Sequence, residues 1–219
     1  MARFETRREV LLALCAGPAL LGAPRAFAQT WQPGDDYTVL DNPQPGDSPG
    51  KIEVLDFFWY GCPHCYAFMP ELDAWRKKLP ADVAFKHLPV AFDGPREPHS
   101  KIFYALLALG RVDDLHIKVF DAFHQKHMRL LDRDEIADFM ATNGIPRDKW
   151  LATYDSFSVA GQVARSKITT RNYMIDGTPT LAVDGHYLTS PSIVHVHTNS
   201  GALAVCDYLI DLARRARKK

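Results

Sequence analysis

The chain carries no surplus of charge, few cysteines and, past its N-terminus, no long apolar run. Its 26 Lys plus Arg balance 26 Asp plus Glu, so no global field draws it to nucleic acid. Cys15, Cys62, Cys65 and Cys206 supply one Cys-x-x-Cys and no second. A zinc centre needs four converging ligands, and His195-x-His197 adds only two nitrogens, so no metal site is expected. Nothing downstream of the N-terminus approaches the roughly 20 apolar residues of a spanning helix. Internal repeats and low-complexity linkers are also missing.

The N-terminus is the exception. Arg3, Arg7 and Arg8 make a basic start, Val10–Leu21 is a short apolar run, and Ala26-Phe27-Ala28 forms a small-x-small cleavage site before Gln29. This pattern predicts a secretory signal peptide over 1–28, too short to span as a helix. Thr6-Arg7-Arg8 loosely resembles a twin-arginine signal, but a merely basic start explains it as well. Cys15 is then absent from the mature protein, which is expected to be exported and soluble. The remaining stretch of roughly 190 residues suits one compact unit. Cys206 shares a helical face with Leu203, Leu209, Ile210 and Ala213 and is expected to be a buried, inert thiol. The basic tail from Arg214 to Lys219 reads as a solvated helix C-terminus favourably placed on the helix dipole.

The chemistry concentrates at Cys62-Pro63-His64-Cys65. The preceding Ile52–Tyr60 is rich in β-branched and aromatic residues, as a buried strand is. Afterwards Cys65, Phe68, Met69, Leu72, Trp75 and Leu79 recur every three or four residues, one apolar face of a helix. Pro63 falls in the first helical turn, where its missing N–H costs nothing. The sulfur of Cys62 then lies near unpaired N–H groups and the positive end of the helix dipole, which favour a thiolate. A protonated His64 adds to this. The pair reads as a redox dithiol rather than a structural bridge.

Helix Cys62–Leu79 sits between predicted strands Lys51–Trp59 and Val83–Val90, a βαβ unit, with Pro70 expected to kink the helix. Gln29–Gly50 is an entry segment with one short strand, Tyr37–Leu40. Asp93-Gly94-Pro95 and Pro98 end the sheet pattern. Helices follow over Ser100–Leu109 and Asp113–Met128, then from a cap at Asp132 to Asn143-Gly144, from Pro146, and over Ser158–Met174. Thr180–Val183 and His186–Leu188 form a hairpin through Asp184-Gly185, read as a two-residue turn, and Ser200–Arg215 closes the chain as a helix. The order predicts an α/β thioredoxin fold with an inserted all-helical domain. Residues 29–92 and 159–219 build the thioredoxin part and 93–158 the insert.

An aromatic-rich strand before Cys62-Pro63-His64-Cys65, a helical insert, and Gly177-Thr178-Pro179-Thr180 before a hairpin resemble the DsbA family over essentially all of Gln29–Lys219. These are periplasmic thiol:disulfide interchange proteins of Gram-negative bacteria. Thioredoxin itself carries Gly-Pro between its cysteines, and the bacterial disulfide isomerase carries Gly-Tyr. That isomerase also has an N-terminal dimerisation domain, which Gln29–Gly50 is too short to build, so a monomer is expected.

The resemblance implies a dithiol oxidase that introduces disulfides into exported proteins with free thiols. Cys62 would be the exposed nucleophile and Cys65 its buried partner, with Pro63 and His64 tuning the pair and no cofactor required. It implies a periplasmic location and recharging by a quinone-linked membrane oxidase of the DsbB type. An X–Pro bond is trans by default, whereas the resemblance implies a cis Thr178-Pro179 bond beside the dithiol, the Thr178 backbone pairing with a substrate strand. Asp56 shares a strand face with Val54 and Phe58, so its carboxylate is expected to be buried. It is either a charge that escapes to water or an acid that takes and returns the proton of Cys65. The resemblance implies the acid, usually Glu and here one methylene shorter, paired with a basic residue matched to Lys86. Two other classes stay open at this point: a reductase or isomerase on the same fold, and a chaperone or metal-binding protein that works without both thiols.

Overall fold

Ile52–Phe58 is rich in β-branched and aromatic residues on both sides, and all seven residues, Glu53 and Asp56 included, are buried. A strand of that kind belongs in the middle of a sheet covered on both faces. In the computed structural model, whose described residues are 30–91, 94 and 96–218, this segment (β2) is flanked by β3 (Val83–Pro89) in parallel and β4 (Thr180–Val183) in antiparallel pairing. The expected signal peptide and parts of the Asp93-Gly94-Pro95 break lie outside the described residues. β5 (Tyr187–Thr189) and β1 (Thr38–Val39) complete a sheet of order β1-β5-β4-β2-β3. Trp31–Lys219 forms one compact unit.

The helix after β2, α1 (Pro63–Arg76), starts on Cys62 as its cap, holds Pro63 in its first turn and runs on through Pro70. It buries Cys65, Phe68, Met69 and Leu72 of the predicted face, while Trp75 is partly buried and Leu79 lies beyond the helix end at Arg76. Between β3 and β4 the chain is helical: α2 (Arg96–Ala108), α3 (Val112–His124), α4 (Arg133–Thr142), α5 (Arg147–Tyr154) and α6 (Phe157–Asn172). Asp132 caps α4 by accepting from the N–H groups of Asp134 and Glu135 at 2.9 and 3.0 Å. The last helix, α7 (Asn199–Ala216), joins α1 on the sheet face that carries Val54 and Phe58, in one core shared with the helical insert. Leu55 and Phe57 point to the other face and pack with Leu40, Val90, Tyr173, Ile175 and Ala182.

The hairpin differs from the two-residue turn expected. Tyr187 pairs with Val183, so Asp184, Gly185 and His186 all lie in the connection. Asp184 and Gly185 have φ of 56° and 69°, the left-handed region that Asp and Gly tolerate best. A Cβ on Gly185 would meet the Gln44 carbonyl at 1.9 Å, because the Gln44 N–H is bonded to the Gly185 carbonyl at 2.8 Å. The basic C-terminus is anchored as well as solvated: Arg214 bonds Asp82 at 2.7 Å, and Arg217 pairs with Asp184. Cys206 is fully buried, and burial raises its thiol well above the ordinary range. Among the described residues no group of three or more His, Cys, Asp or Glu could hold a metal, and no helix is long and apolar enough to cross a membrane.

Candidate active site

The aromatic run at the end of β2 turns sharply into α1 at Gly61. A Cβ there would lie 2.3 to 2.7 Å from the Trp59 ring, so the ring folds over a glycine that leaves room for it. Cys62 then takes the capping position with extended φ and ψ of −87° and 116°. Its sulfur accepts the Cys65 N–H at 3.3 Å, the task that Ser, Thr or Asp performs at most helix starts. Pro63 and His64 are exposed at the first turn, whereas Cys62, expected to be exposed, is buried at 7% because its sulfur turns inward to cap α1, and Cys65 is 2% exposed. Both cysteines are free thiols.

The two sulfurs are driven apart in acidity. Donation from the Cys65 thiol and from the backbone N–H groups of Cys65 and His64 outweighs burial and lowers Cys62 to about 5. Cys65 moves well upward, mainly through burial, then through the hydrogen bond and charge of Cys62. At pH 7 a thiol with a pKa of about 5 is ionised by about a hundred to one. The outer sulfur is therefore a ready nucleophile and leaving group, and the inner one holds its proton.

The loop before β4 reaches the same place from 116 residues further along. The Thr178-Pro179 bond is cis, and the Thr178 carbonyl oxygen lies 3.2 Å from the Cys62 sulfur. Thr180 Oγ1 donates to the Gly177 carbonyl at 2.9 Å, and Ser190 Oγ to the Pro179 carbonyl at 2.7 Å, which fixes the loop from both sides.

Asp56 is buried as expected, at 1% exposure, but its partner is not Lys86. Residues of β2 and β3 pair in register, Leu55 opposite Lys86 and Asp56 opposite His87, so Lys86 stands on the other face of the sheet. Lys86 Nζ instead bonds Glu53 Oε2 at 2.6 Å, an oxygen that also accepts from Ser48 Oγ and the Asp47 N–H. Asp56 Oδ2 meets His87 Nδ1 at 2.7 Å, while its Oδ1 is buried with no protein partner. Sequence reasoning missed His87 and Glu53. It also missed a second ring of contacts tying the active-site turn to α3: Tyr60 Oη to His116 Nδ1 at 2.7 Å, His124 Nε2 to the Tyr60 carbonyl at 2.8 Å, and Tyr66 Oη donating to Asp121 at 2.7 Å. Tyr66 stacks flat on His124 with centroids 4.9 Å apart.

Known proteins share this arrangement. The DSBA-like thioredoxin domain family matches residues 53–203. The thiol:disulfide interchange protein DsbA of Pseudomonas aeruginosa is 41% identical over 213 residues, 97% of this chain and 100% of the relative. That of Burkholderia cepacia is 44% identical over 202 residues, 91% of each. The crystal structure of Pseudomonas aeruginosa DsbA superposes with a TM-score of 0.83 at 41% identity, covering 86% of this chain and 97% of that one. DsbA from Xylella fastidiosa does so at 0.78 and 30%, covering 84% and 98%. With the dithiol at the start of α1, the thioredoxin-type sheet and the helical insert between β3 and β4, the chain belongs to the DsbA family of thiol:disulfide oxidoreductases.

Proposed function

We propose that the chain works in the oxidising direction, donating the Cys62–Cys65 disulfide to exported proteins. A client thiolate attacks the Cys62 sulfur, the Cys62–Cys65 bond breaks, and Cys65 leaves and takes up a proton. A second client thiolate then attacks the client sulfur of the mixed disulfide, and Cys62 leaves as a thiolate. The client gains one disulfide and the enzyme becomes a dithiol. The observation that carries the direction is the split between the sulfurs. A Cys62 thiolate stable at neutral pH makes the reduced form the lower in energy, so the disulfide is readily given away.

The other residues take roles that follow from their places. The Thr178 backbone, with its carbonyl beside the Cys62 sulfur, receives an extended client segment as an added strand. The His64 imidazole, exposed in the first turn of α1, stabilises the thiolate further when protonated. Asp56, with one buried oxygen free to accept, supplies and recovers the proton of Cys65. The leader-like N-terminus and the family together support a periplasmic location and recharging by a DsbB-type membrane oxidase.

The test is equilibration of Gln29–Lys219 across glutathione redox buffers, with the oxidised fraction of Cys62 and Cys65 read by thiol trapping and mass spectrometry. A pair that stays reduced where ordinary structural disulfides are oxidised meets the expectation. A pair that oxidises under reducing poise makes the protein a reductase instead.

A further inference from the structure

The carboxylate of Asp56 is sealed from water, and its protein partner is a histidine on the neighbouring strand. The His87 side chain is 8% exposed, yet its ring lines two cavities, one of about 660 Å³ and one of about 240 Å³. The smaller cavity runs between α1 and α3. At its rim stands Asp113, whose side chain is 88% exposed, so the cavity meets solvent there. Deeper in lies His116, its ring centroid 4.7 Å from that of His87 and its Nε2 buried without a protein partner. The space has room for several waters at roughly 30 Å³ each. Rings of Phe58, Phe85 and Phe103 pack edge-on around His87 and hold it in place. A lysine ammonium at this position would supply a fixed charge. An imidazole can take a proton on one nitrogen and give one from the other near neutral pH.

We propose that His87 is a positioning residue that acts through Asp56 as its proton connection to solvent, with the cavity between α1 and α3 as the outlet. The inference rests on the reading of Asp56 as the acid that serves Cys65. When Cys65 leaves the disulfide, the Oδ–H bond of Asp56 breaks and an S–H bond forms. The carboxylate is refilled from His87 Nδ1–H, and the imidazole regains a proton from cavity water. Deprotonation of Cys65 runs the same steps backwards, and no electrons are exchanged. The charged and titratable groups beside His87 and the smaller cavity are Asp56 of β2, Arg76 and Asp73 of α1, and Asp113 and His116 of α3; the larger cavity adds Asp47, Glu53, Lys86, Tyr104, Arg165 and Tyr173. Arg76 is held by both Asp73 and Asp113.

The experiment is single-turnover oxidation of a dithiol peptide by the oxidised mature protein, followed against pH and in heavy water. His87→Ala, His87→Gln, Asp56→Asn and the control Lys86→Met are compared. General acid–base help is worth about a hundredfold or more in rate, so both His87 variants should slow at least about tenfold, with a changed pH profile and unchanged peptide affinity. Free imidazole should restore His87→Ala by entering the enlarged cavity, while Lys86→Met behaves as wild type. If His87→Ala is slow, imidazole does not rescue it and His87→Gln is fully active, the role is structural and the proposal fails. A slow Asp56→Asn beside a normal His87→Ala overturns the outlet alone. A normal Asp56→Asn overturns the underlying reading of the acid.

Discussion

Cys65→Ala tests where the acidity of Cys62 comes from. The Cys65 thiol is the largest of the groups that lower Cys62, ahead of the backbone N–H groups of Cys65 and His64, with burial opposing them all. A hydrogen bond to a charged acceptor contributes about 1.5–3 kcal/mol, which at 1.36 kcal/mol per unit is about one to two pKa units. Removing the thiol while keeping the helix start should therefore move the Cys62 midpoint from about 5 to between about 6 and 7. The assay is the pH dependence of alkylation by iodoacetamide, read by intact mass. Cys206 adds no background, being fully buried with its thiol held well above the ordinary range. A midpoint that stays near 5 would refute the reasoning, because the backbone alone would then suffice. A midpoint at the ordinary thiol value would refute it from the other side. The sign of the linked stability follows. The folded pKa lies below the unfolded one, so the thiolate stabilises the reduced protein in full above the ordinary thiol range. That stabilisation is lost as pH falls through 5. The oxidised form has no such group, so the stability gap between the two forms should narrow towards pH 5.

Two further outcomes follow from the packing around the site. Gly61→Ala puts a methyl group into the Trp59 ring and should cost roughly 1–3 kcal/mol, seen as a lower melting temperature; an unchanged one would mean the ring moves aside freely. His116 is held well below its ordinary range by burial first and then by the charges of His87 and Arg76. The unfolded chain therefore takes up this proton first, and stability should fall as pH drops below about 6.5, by up to about 1.4 kcal/mol per unit for this one group. His116→Phe should flatten that slope in urea titrations; an unaltered slope would assign the acid sensitivity to other groups.

What could be read from the chain was local. The dithiol at a helix start and the cap at Asp132 each depend on residues a few positions apart, and each was placed correctly; the hairpin at Asp184-Gly185 was placed, but as a two-residue turn. The third residue of the hairpin was not, because the pairing of Val183 with Tyr187 is set by the sheet rather than by the turn dipeptide. The partner of Asp56 failed for the same reason. Lys86 and His87 are both basic and adjacent, and a shift of one residue moves a side chain to the opposite face of a sheet. The approach of Thr178 to Cys62, and of His116 to Tyr60, spans 116 and 56 residues. No periodicity encodes such distances; the resemblance foretold the first, and nothing foretold the second.

The use of Cys62 as a helix cap has one more effect. A capping atom is ordinarily a permanent fixture, installed once at folding. Here it is the atom that changes bonding partner in every cycle. As a thiolate it holds the first turn of α1 with a full negative charge; in a disulfide, with the enzyme or with a client, the same sulfur is a weak, neutral acceptor. The start of α1 is therefore held less firmly in either disulfide state than in the reduced enzyme. Release of the client restores the charged cap, so the helix start adds to the drive to let go, beside the larger contribution of the Cys65 thiol.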